Sequence, residues 1–363
     1  MGKSSSLKQL ALQKFKKNFW GVFSFIFIVL VGIISVFAYV FAPDNSQYAN
    51  QMHLAIHSKK PGFEVTVLTV PSQIKNEQSF FDKVFFGKKN SDTEVPISDY
   101  SVRDGVLTYK EYASDGLEGS EKIIKLSAFP NSSVEQFIKQ KTFLFGTDKY
   151  GRDLLSRILV GARISFFIGF VAVFISLVIG ILMGSLAGYF GGKVDAIIMW
   201  VINVTWSIPT LLLVIAITLA LGKGFWQVFI AVGLTMWVEV ARVVRGQIIS
   251  TKEMQYVTAA RALGYTDFRI IKKHILPNIM APVIVISAAN FAAAILIESG
   301  LSFLGIGAQP PMASWGAMIK DHYNYIILGK PYLAIIPGLC IMSLVMAFML
   351  IGNALRDALD VKG

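Results

Sequence analysis

One segment of this chain comes close to a nucleotide-binding motif. Residues 146–153 read Gly, four residues, Gly, Arg and Asp. A phosphate-binding loop requires Lys followed by Ser or Thr to hold the phosphates and magnesium, whereas Asp153 would repel phosphate. No other Walker-type sequence occurs in the chain. We therefore expect that this chain does not itself bind or hydrolyse ATP.

Combinations of residues that bind metals or catalyse reactions are sparse. His53 and His57 are four residues apart, but two imidazoles without a clear third ligand make a weak metal site. We expect both to be surface histidines. No Ser–His–Asp or Cys–His arrangement can be assembled in the apolar part of the chain, which holds the single cysteine, Cys340. The sequence predicts a non-catalytic protein that itself binds no metal or cofactor.

A third group of polar residues borders apolar sequence. Charged residues recur at near-helical spacing directly before an apolar block, namely Arg152, Asp153, Arg157 and Arg163. This spacing predicts a helix that lies along the outer surface of the membrane. These residues would form either a network that braces an outer gate or a set of headgroup anchors. Glu298 lies near the end of another apolar stretch, where an ionisable side chain is costly and a functional candidate. It would line a pathway or pair with Arg152 or Arg157.

Long apolar segments must position these residues. The chain is 54% hydrophobic and 16% charged, and about 20 apolar residues cross a bilayer. Blocks of this length without a charged residue occur at 19–42, 164–192, 196–222 and 331–355. Two further spans carry one acidic residue each, Glu239 in 224–241 and Glu298 in 275–305. We predict an all-α polytopic membrane protein with six transmembrane helices, of which 19–42 is an uncleaved span rather than a signal peptide.

The basic residues indicate how the spans are oriented. The net charge is +11, and the residues outside 43–147 hold 22 Lys and Arg against 10 Asp and Glu. These basic residues concentrate in the first 17 positions and between 242 and 273, as expected for cytoplasmic segments. We predict cytoplasmic placement of the N-terminus (1–18), of a loop at 242–274 and of the C-terminus (356–363). Because the charge lies in the membrane part, nucleic-acid binding is disfavoured.

Residues 43–145 separate the first span from a five-helix core at 146–355. Short β-like runs bounded by turn residues occur at 63–70, 106–112 and 122–129. We predict a small α+β extracytoplasmic insert between helices 1 and 2, with loops around 87–93 and 114–120. Since Cys340 falls in the last span, the insert must fold through its hydrophobic core without disulfides.

The second span is rich in small residues, namely Gly180, Gly184, Ser185, Ala187 and Gly188. Small side chains let membrane helices approach closely. The pattern indicates either helices that slide and tilt during transport or ordinary helix packing.

Residues 253–277 interrupt the apolar spans with a polar, basic, helix-forming stretch. Helix formers at 251–263 predict one short helix, Gly264 suits a left-handed C-cap, and Thr266 with Asp267 restarts a second helix. Because their side chains are short, Ala259 and Ala260 would let the backbone of another protein approach one face of this helix closely. Apolar anchors for a groove on a partner would be Tyr256, Leu263 and Tyr265, and basic residues facing an acidic rim would be Arg261, Arg269, Lys272 and Lys273. The same charges also suit an interfacial helix on anionic lipid.

This stretch resembles the EAA loop of ABC importer permeases. The pattern is matched at Ala259, Ala260, Gly264, Leu276 and Pro277. The chain departs from it at Thr258, where the family usually has Glu, and at His274, where it usually has Ile. Three further stretches resemble the C-type permease of the dipeptide and oligopeptide branch, at 146–165, 298–307 and 310–319. The resemblance covers roughly residues 146–320 and leaves out the insert.

The resemblance implies a role and a set of partners. The chain would be a transmembrane subunit, in a bacterial inner membrane, of an ATP-driven importer of short peptides. Its partners would be a B-type permease, two cytoplasmic ATPase subunits that use ATP and Mg, an extracytoplasmic peptide-binding protein and membrane lipid. A nickel or other small-solute permease of the same family is an alternative. An ion channel or membrane sensor is an alternative of a different class, but a channel needs no Ala-Ala-Gly docking surface.

Overall fold

The computed structural model describes residues 7–72, 78–89, 92–113, 118–129, 134–222 and 224–360. Contacts divide the chain into two units. The helical unit comprises Met1–Gly32, Ser165–Gln309 and Cys340–Gly363, and the sheet unit comprises Ile33–Ile164 and Pro310–Leu339.

The described residues form α-helices and one antiparallel sheet. In chain order the helices are α1 (Leu7–Lys17), α2 (Phe19–Val36), α3 (Ala38–Phe41), α4 (Phe80–Phe86), α5 (Leu154–Phe190), α6 (Gly192–Ser207), α7 (Thr210–Leu221), α8 (Phe225–Thr251), α9 (Gln255–Ala262), α10 (Asp267–Ile270), α11 (Met280–Phe303), α12 (Trp315–His322) and α13 (Tyr332–Leu359). The strands are β1 (Phe63–Val70), β2 (Thr93–Arg103), β3 (Val106–Glu111), β4 (Glu121–Lys125) and β5 (Ile138–Phe143).

Among the described residues, five helices are long and apolar enough to cross a membrane, namely α2, α5, α8, α11 and α13. The predicted uninterrupted span at 196–222 is wrong. Helices α6 and α7 occupy this region and bend by 94°, because Pro209 holds the preceding Ile208 in an extended conformation that ends the first helix. The predicted number of six holds if this bent pair crosses the membrane as one broken span.

Two further helix boundaries differ from the sequence prediction. The span predicted at 19–42 is interrupted at Phe37, which separates α2 from the four-residue α3. The surface helix predicted before residue 164 is instead the first part of α5, whose 37 residues extend for about 56 Å. The predicted surface helix and the span form one helix because no proline interrupts residues 154–190, and Gly161 does not break it.

Glycines on α5 allow close packing against α8. A Cβ at Gly180 would lie 2.5 Å from the Val240 Cβ, and one at Gly184 would lie 2.6 Å from the carbonyl oxygen of Ala241. A Cβ at Gly188 would approach the carbonyl oxygen of Arg245 to 2.9 Å. The predicted close approach of helices is therefore confirmed at these three glycines.

The sheet has five strands in the order β4-β3-β2-β1-β5, with all neighbours antiparallel. Strand β1 matches the predicted run at 63–70, and β3 matches the run at 106–112 to within one residue. The run at 122–129 is only half strand, because residues 126–128 form a 3-10 turn after β4. The sequence missed β2 and β5. Parts of the predicted loops, at 90–91 and 114–117, lie outside the described residues.

Apolar side chains cover both faces of the sheet. Leu68 of β1 packs with Leu107 and Phe129 on one face, while Val65 and Val67 pack with Ile56 and Phe143 on the other. The alternation along β1 follows from the period of two in a strand. The insert accordingly has a hydrophobic core of its own, and the cysteine Cys340 is free.

Candidate functional site

The residues that match the EAA pattern form a helical hairpin between α8 and α11. Helix α8 ends at Thr251, so the first predicted helix is shorter than expected and begins at Gln255. Gly264 adopts φ +75°, the left-handed conformation predicted for the turn. The second arm begins at Asp267, as predicted, and continues as a π-helical turn over Ile271–Ile275. We call residues 255–278 the hairpin.

The hairpin is built on the same hydrophobic core as the long helices. Val257 and Ala260 of the first arm are buried together with Ile270 of the second arm. Val244 and Ile248 of α8 complete this cluster. Ala260 therefore faces inward, and the prediction that it lies on the outer face, where another protein would approach, is wrong. The short Ala260 side chain instead lets the two arms close on each other, and its neighbour Ala259 stays exposed.

The outer surface of the hairpin carries three large exposed side chains. Tyr256, Leu263 and Phe268 are 42%, 72% and 73% exposed. Tyr265, which was predicted to protrude, is half-buried and lies between the His274 ring, at 5.7 Å between centroids, and the Arg269 guanidinium, at 4.1 Å from its centroid. Sequence reasoning missed Phe268. No local signal marks it, because the periodicity of a four-residue helix does not indicate which side faces the core.

Polar contacts fasten the hairpin to the end of α5. The Tyr189 hydroxyl donates to Asp267 at 2.6 Å. A hydrogen bond involving Tyr189 also raises the pKa of Arg261. The Lys252 ammonium donates to the carbonyl of Gly188 at 3.3 Å. The tip and the base of the hairpin are thus both linked to the last turn of α5.

A bidentate ion pair lies next to these contacts. Arg245 of α8 donates from Nε and Nη2 to the two carboxylate oxygens of Asp195, each at 2.5 Å. Asp195 belongs to the first turn of α6. Since two parallel hydrogen bonds fix both distance and orientation, α6 is held to α8 at the end from which the hairpin projects.

Leu276 and Pro277 close the hairpin. Leu276 is half-buried against the shared core, and Pro277 is exposed in a 3-10 turn that leads into α11. The amide of Asn278 donates to the His274 carbonyl at 2.6 Å and to the Tyr256 hydroxyl at 3.2 Å. Asn278 thereby joins the two arms. Thr258 is exposed on the first arm, and its hydroxyl donates to the Met254 carbonyl.

A second cluster surrounds the start of α5. Asp153 precedes the helix and accepts hydrogen bonds from the backbone and hydroxyl groups of Ser156, as an N-cap residue does. Burial raises the pKa of Asp153. The neighbouring Arg152 donates to the Asp148 carboxylate at 2.6 Å and to Asn50 at 3.0 Å. These are internal contacts of the sheet unit.

Arg157 ties together loops that are distant in sequence. Its Nη1 donates to the carbonyls of Tyr48 and Pro311, both at 3.1 Å. At the next residue, the Trp315 indole donates to the Ile158 carbonyl at 3.0 Å. Since Arg152, Asp153 and Arg157 are all buried, they hold protein segments together rather than extend into headgroups. Whether this cluster braces a gate stays a prediction.

Glu298 is buried one turn before the end of α11. Its Oε1 accepts a hydrogen bond of 2.7 Å from the Ser302 hydroxyl, which in turn accepts from the backbone nitrogen of Ala308 at 3.1 Å. These contacts fix the turn that follows the helix. The participation of Glu298 in transport stays a prediction.

The histidine pair differs from the expectation. His53 and His57 flank a 3-10 turn rather than share one α-helix. His53 is buried and lies 3.7 Å from Glu94, so the prediction of a surface histidine is wrong at this position. In the described part of the chain no three His, Cys, Asp or Glu residues are grouped as metal ligands.

Comparison with known proteins covers most of the helical part. A family model described as "Binding-protein-dependent transport system inner membrane component" matches residues 159–362, and one described as "N-terminal TM domain of oligopeptide transport permease C" matches residues 6–61. The two matches leave out residues 62–158, which include all five strands.

Individual relatives agree with these matches. The dipeptide transport system permease protein DppC of Bacillus subtilis is 41% identical over 64% of this chain and 75% of its own length. The oligopeptide transport system permease protein OppC of Escherichia coli is 43% identical over 60% of this chain and 72% of its own length. The glutathione transport system permease protein GsiD of Pectobacterium atrosepticum is 41% identical over 60% and 72%. A structure of the inward-facing MetNI methionine ABC transporter aligns with a TM-score of 0.47 at 18% identity, over 56% of this chain and 95% of that chain.

Proposed function

Because the chain belongs to the family of binding-protein-dependent transport system inner membrane components, the permease subunits of ABC importers, we propose that it imports short peptides. The observation that carries the cargo class is the set of relatives at 40–43% identity, whose names specify dipeptide, oligopeptide or glutathione transport. The chain is a multi-pass inner-membrane protein. It would act with a B-type permease, two ATPase subunits and a peptide-binding protein.

We assign ATPase coupling to the hairpin. Tyr256, Leu263 and Phe268 offer apolar side chains to a groove on the ATPase, and the exposed bases Arg261 and Arg269 suit an acidic rim. An amphipathic helix docks in this way by inserting its apolar residues into a groove. Docking is favoured over lying on lipid, because Val257, Ala260 and Ile270 of the hairpin are already buried in the core shared with α8 and are not free to form the apolar face of an interfacial helix.

The shared core also suggests how movement is transmitted. Val257 and Ile270 of the hairpin pack with Val244 of α8 and Val283 of α11. Packed cores switch between discrete arrangements rather than deform continuously. When the ATPases close on ATP, the hairpin would move with them and carry both helices towards an outward-open arrangement. The Tyr189–Asp267 hydrogen bond extends the moving body to α5.

The orientation follows from the position of the hairpin. We place the N-terminus (1–18), the segment 242–274 and the C-terminus (356–363) in the cytoplasm, and the insert (43–145) on the opposite side. This placement requires the bent pair α6–α7 to cross the membrane, since the hairpin then follows four spans. The basic residues between 242 and 273 support it. On the outer side Arg152, Asp153 and Arg157 would brace the gate.

Glu298 is the proposed pathway residue. The charge-neutral variant Glu298→Gln keeps the side-chain shape and an acceptor for Ser302. If the carboxylate lines the path, this variant alters peptide uptake more than it alters the amount of assembled transporter.

Reconstitution tests the proposed function. The permease is co-purified with its neighbouring-gene partners, placed in proteoliposomes with the peptide-binding protein, and supplied with a labelled dipeptide, a labelled pentapeptide or nickel. ATP-dependent accumulation of a peptide supports the proposal. Accumulation of nickel without either peptide, or ATP-independent ion flux, would overturn it.

A further inference from the structure

Helix α4 belongs to the sheet unit and has several exposed aromatic side chains. Its seven residues read FFDKVFF, and none of them is buried. The side chains of Phe80, Phe81 and Phe86 are 75%, 68% and 60% exposed. The rings of Phe80 and Phe81 lie 6.0 Å apart. Burying aromatic side chains away from water is strongly favourable, and exposed apolar surface of this kind marks an interaction site. The identity of the partner follows from where α4 is held.

Contacts fix α4 beside the end of the first membrane span. The rings of Phe85 and Phe37 lie 6.2 Å apart. Gly87 follows α4 and packs on Tyr39 of α3, where a Cβ would lie 2.8 Å from the ring. Arg163 donates to the carbonyl of Phe85 while its guanidinium lies 5.2 Å from the Tyr39 ring centroid. Helix α4 therefore lies at the level of α3.

The length of α2 places α3 at the edge of the bilayer. Its 18 residues rise by about 27 Å, slightly less than the roughly 30 Å of the hydrocarbon core. The next residues, around α3, therefore lie where acyl chains give way to headgroups. Val40 and Phe41 of α3 are exposed there. The exposed surface of α3 thus continues onto α4, which packs beside it.

We propose that α4 is a membrane-surface anchor of the insert, with Phe80, Phe81 and Phe86 inserted among lipid chains at the bilayer edge. Asp82 and Lys83, which are also exposed, provide contacts for headgroups, as in other interfacial helices. The anchor holds the sheet unit at a fixed height beside the first span. The inference depends neither on the cargo nor on which side of the membrane the insert lies.

Site-directed spin labelling tests this assignment, because Cys340 is the only cysteine. In a Cys340→Ala background, Phe80→Cys, Phe81→Cys and Phe86→Cys are labelled one at a time. Each variant is assembled with its partner subunits in nanodiscs of phosphatidylethanolamine and phosphatidylglycerol. Collision with oxygen, which partitions into lipid, is compared with collision with a water-soluble nickel chelate. Tyr100→Cys, on an exposed part of β2, is the aqueous control, and Phe23→Cys, exposed on α2, is the lipid control.

The three α4 labels should resemble the α2 control, with an oxygen-to-nickel collision ratio several-fold above that of the β2 control. A ratio equal to the β2 control would overturn the proposal in favour of a solvated helix. Shielding from both reagents would overturn it in favour of a protein partner on α4. The unsubstituted chain supplies a second measurement. A phospholipid with a photoreactive group near the headgroup end of its acyl chain should modify the 80–86 segment, and absence of this adduct beside adducts on α2 would contradict the anchor.

Discussion

Replacing Gly264 by Val should uncouple the importer through the backbone alone. Gly264 has φ +75°, and a Cβ at this position would meet no atom of the chain within 4 Å. The substitution therefore causes no clash within the subunit, but a left-handed conformation costs an L-residue about 1–2 kcal/mol. This free energy lowers the equilibrium constant for the native turn, relative to its alternatives, by roughly 5- to 30-fold.

The assay is ATP-driven peptide uptake by the assembled transporter in proteoliposomes, with the amount of permease in the membrane measured in parallel. We expect Gly264→Val to reduce uptake by about the same factor while the subunit remains in the membrane. Gly264→Asn is the matched control, since it adds a side chain of similar size but tolerates the left-handed region. Uptake by the Val variant at the wild-type rate would refute the reasoning. Equal losses in both variants would show that the partner needs space at this position rather than a particular turn.

Three further predictions concern packing, the buried ion pair and pH. Gly184→Leu should prevent accumulation of folded permease, because even its Cβ would lie 2.6 Å from the Ala241 carbonyl oxygen. The control Gly246→Ala, with open space around its Cβ, should accumulate normally. Fluorescence-detected gel filtration measures both, and a normal Gly184→Leu profile would contradict the close packing. Arg152→Ala leaves the buried Asp148 carboxylate without its guanidinium partner, which lowers the free energy of unfolding by about 3–5 kcal/mol. The melting temperature of the purified subunit should therefore fall, and it should fall more than in Arg152→Lys. An unchanged melting temperature would refute the role of this pair. Burial opposes the charge of Glu94, but the nearby His53 imidazole, at 3.7 Å, and the ammonium of Lys141 lower its pKa to about 2 from 4.5. Its stabilising contribution is therefore complete above pH 4.5 and is lost as the pH falls towards 2. Hydrogen exchange of the strands should show this loss, and an identical acid profile in Glu94→Gln would argue against it.

The sequence was sufficient where local signals and tertiary packing agree. Gly264 ends the first helix of the hairpin, and Thr266 with Asp267 begins the second. These local preferences do not depend on distant contacts, and both the turn and the second helix lie where predicted. Strand β1 alternates apolar residues with a period of two, and its bounds were predicted correctly. The bent pair α6–α7 was missed because hydropathy measures the length of an apolar segment and not its helical continuity. The helix-breaking Pro209 within this segment was the available signal.

Other features depend on partners that are distant in the chain. Strand β5 carries Lys139 and Lys141, so its sequence has no clear apolar alternation, and it becomes a strand by pairing with β1. Ala260 and Tyr265 were predicted to face outward, because the periodicity of one short helix does not indicate which side the second arm will cover. The outward residue Phe268 was missed for the same reason. The buried contacts of Arg152 and Arg157 involve segments 102 and 154 residues away, which spacing alone does not reveal.

The central claim is that force from ATP hydrolysis enters this subunit through the hairpin. The most direct test introduces Leu263→Cys at the exposed turn, in a Cys340→Ala background, labels it with a maleimide that carries a short photoreactive arm, and irradiates the assembled transporter. We predict a covalent permease–ATPase adduct whose yield changes between ATP and ADP. If Leu263→Cys forms no ATPase adduct while peptide uptake continues, or reacts only with reagent confined to the extracytoplasmic side, the coupling role of the hairpin is contradicted.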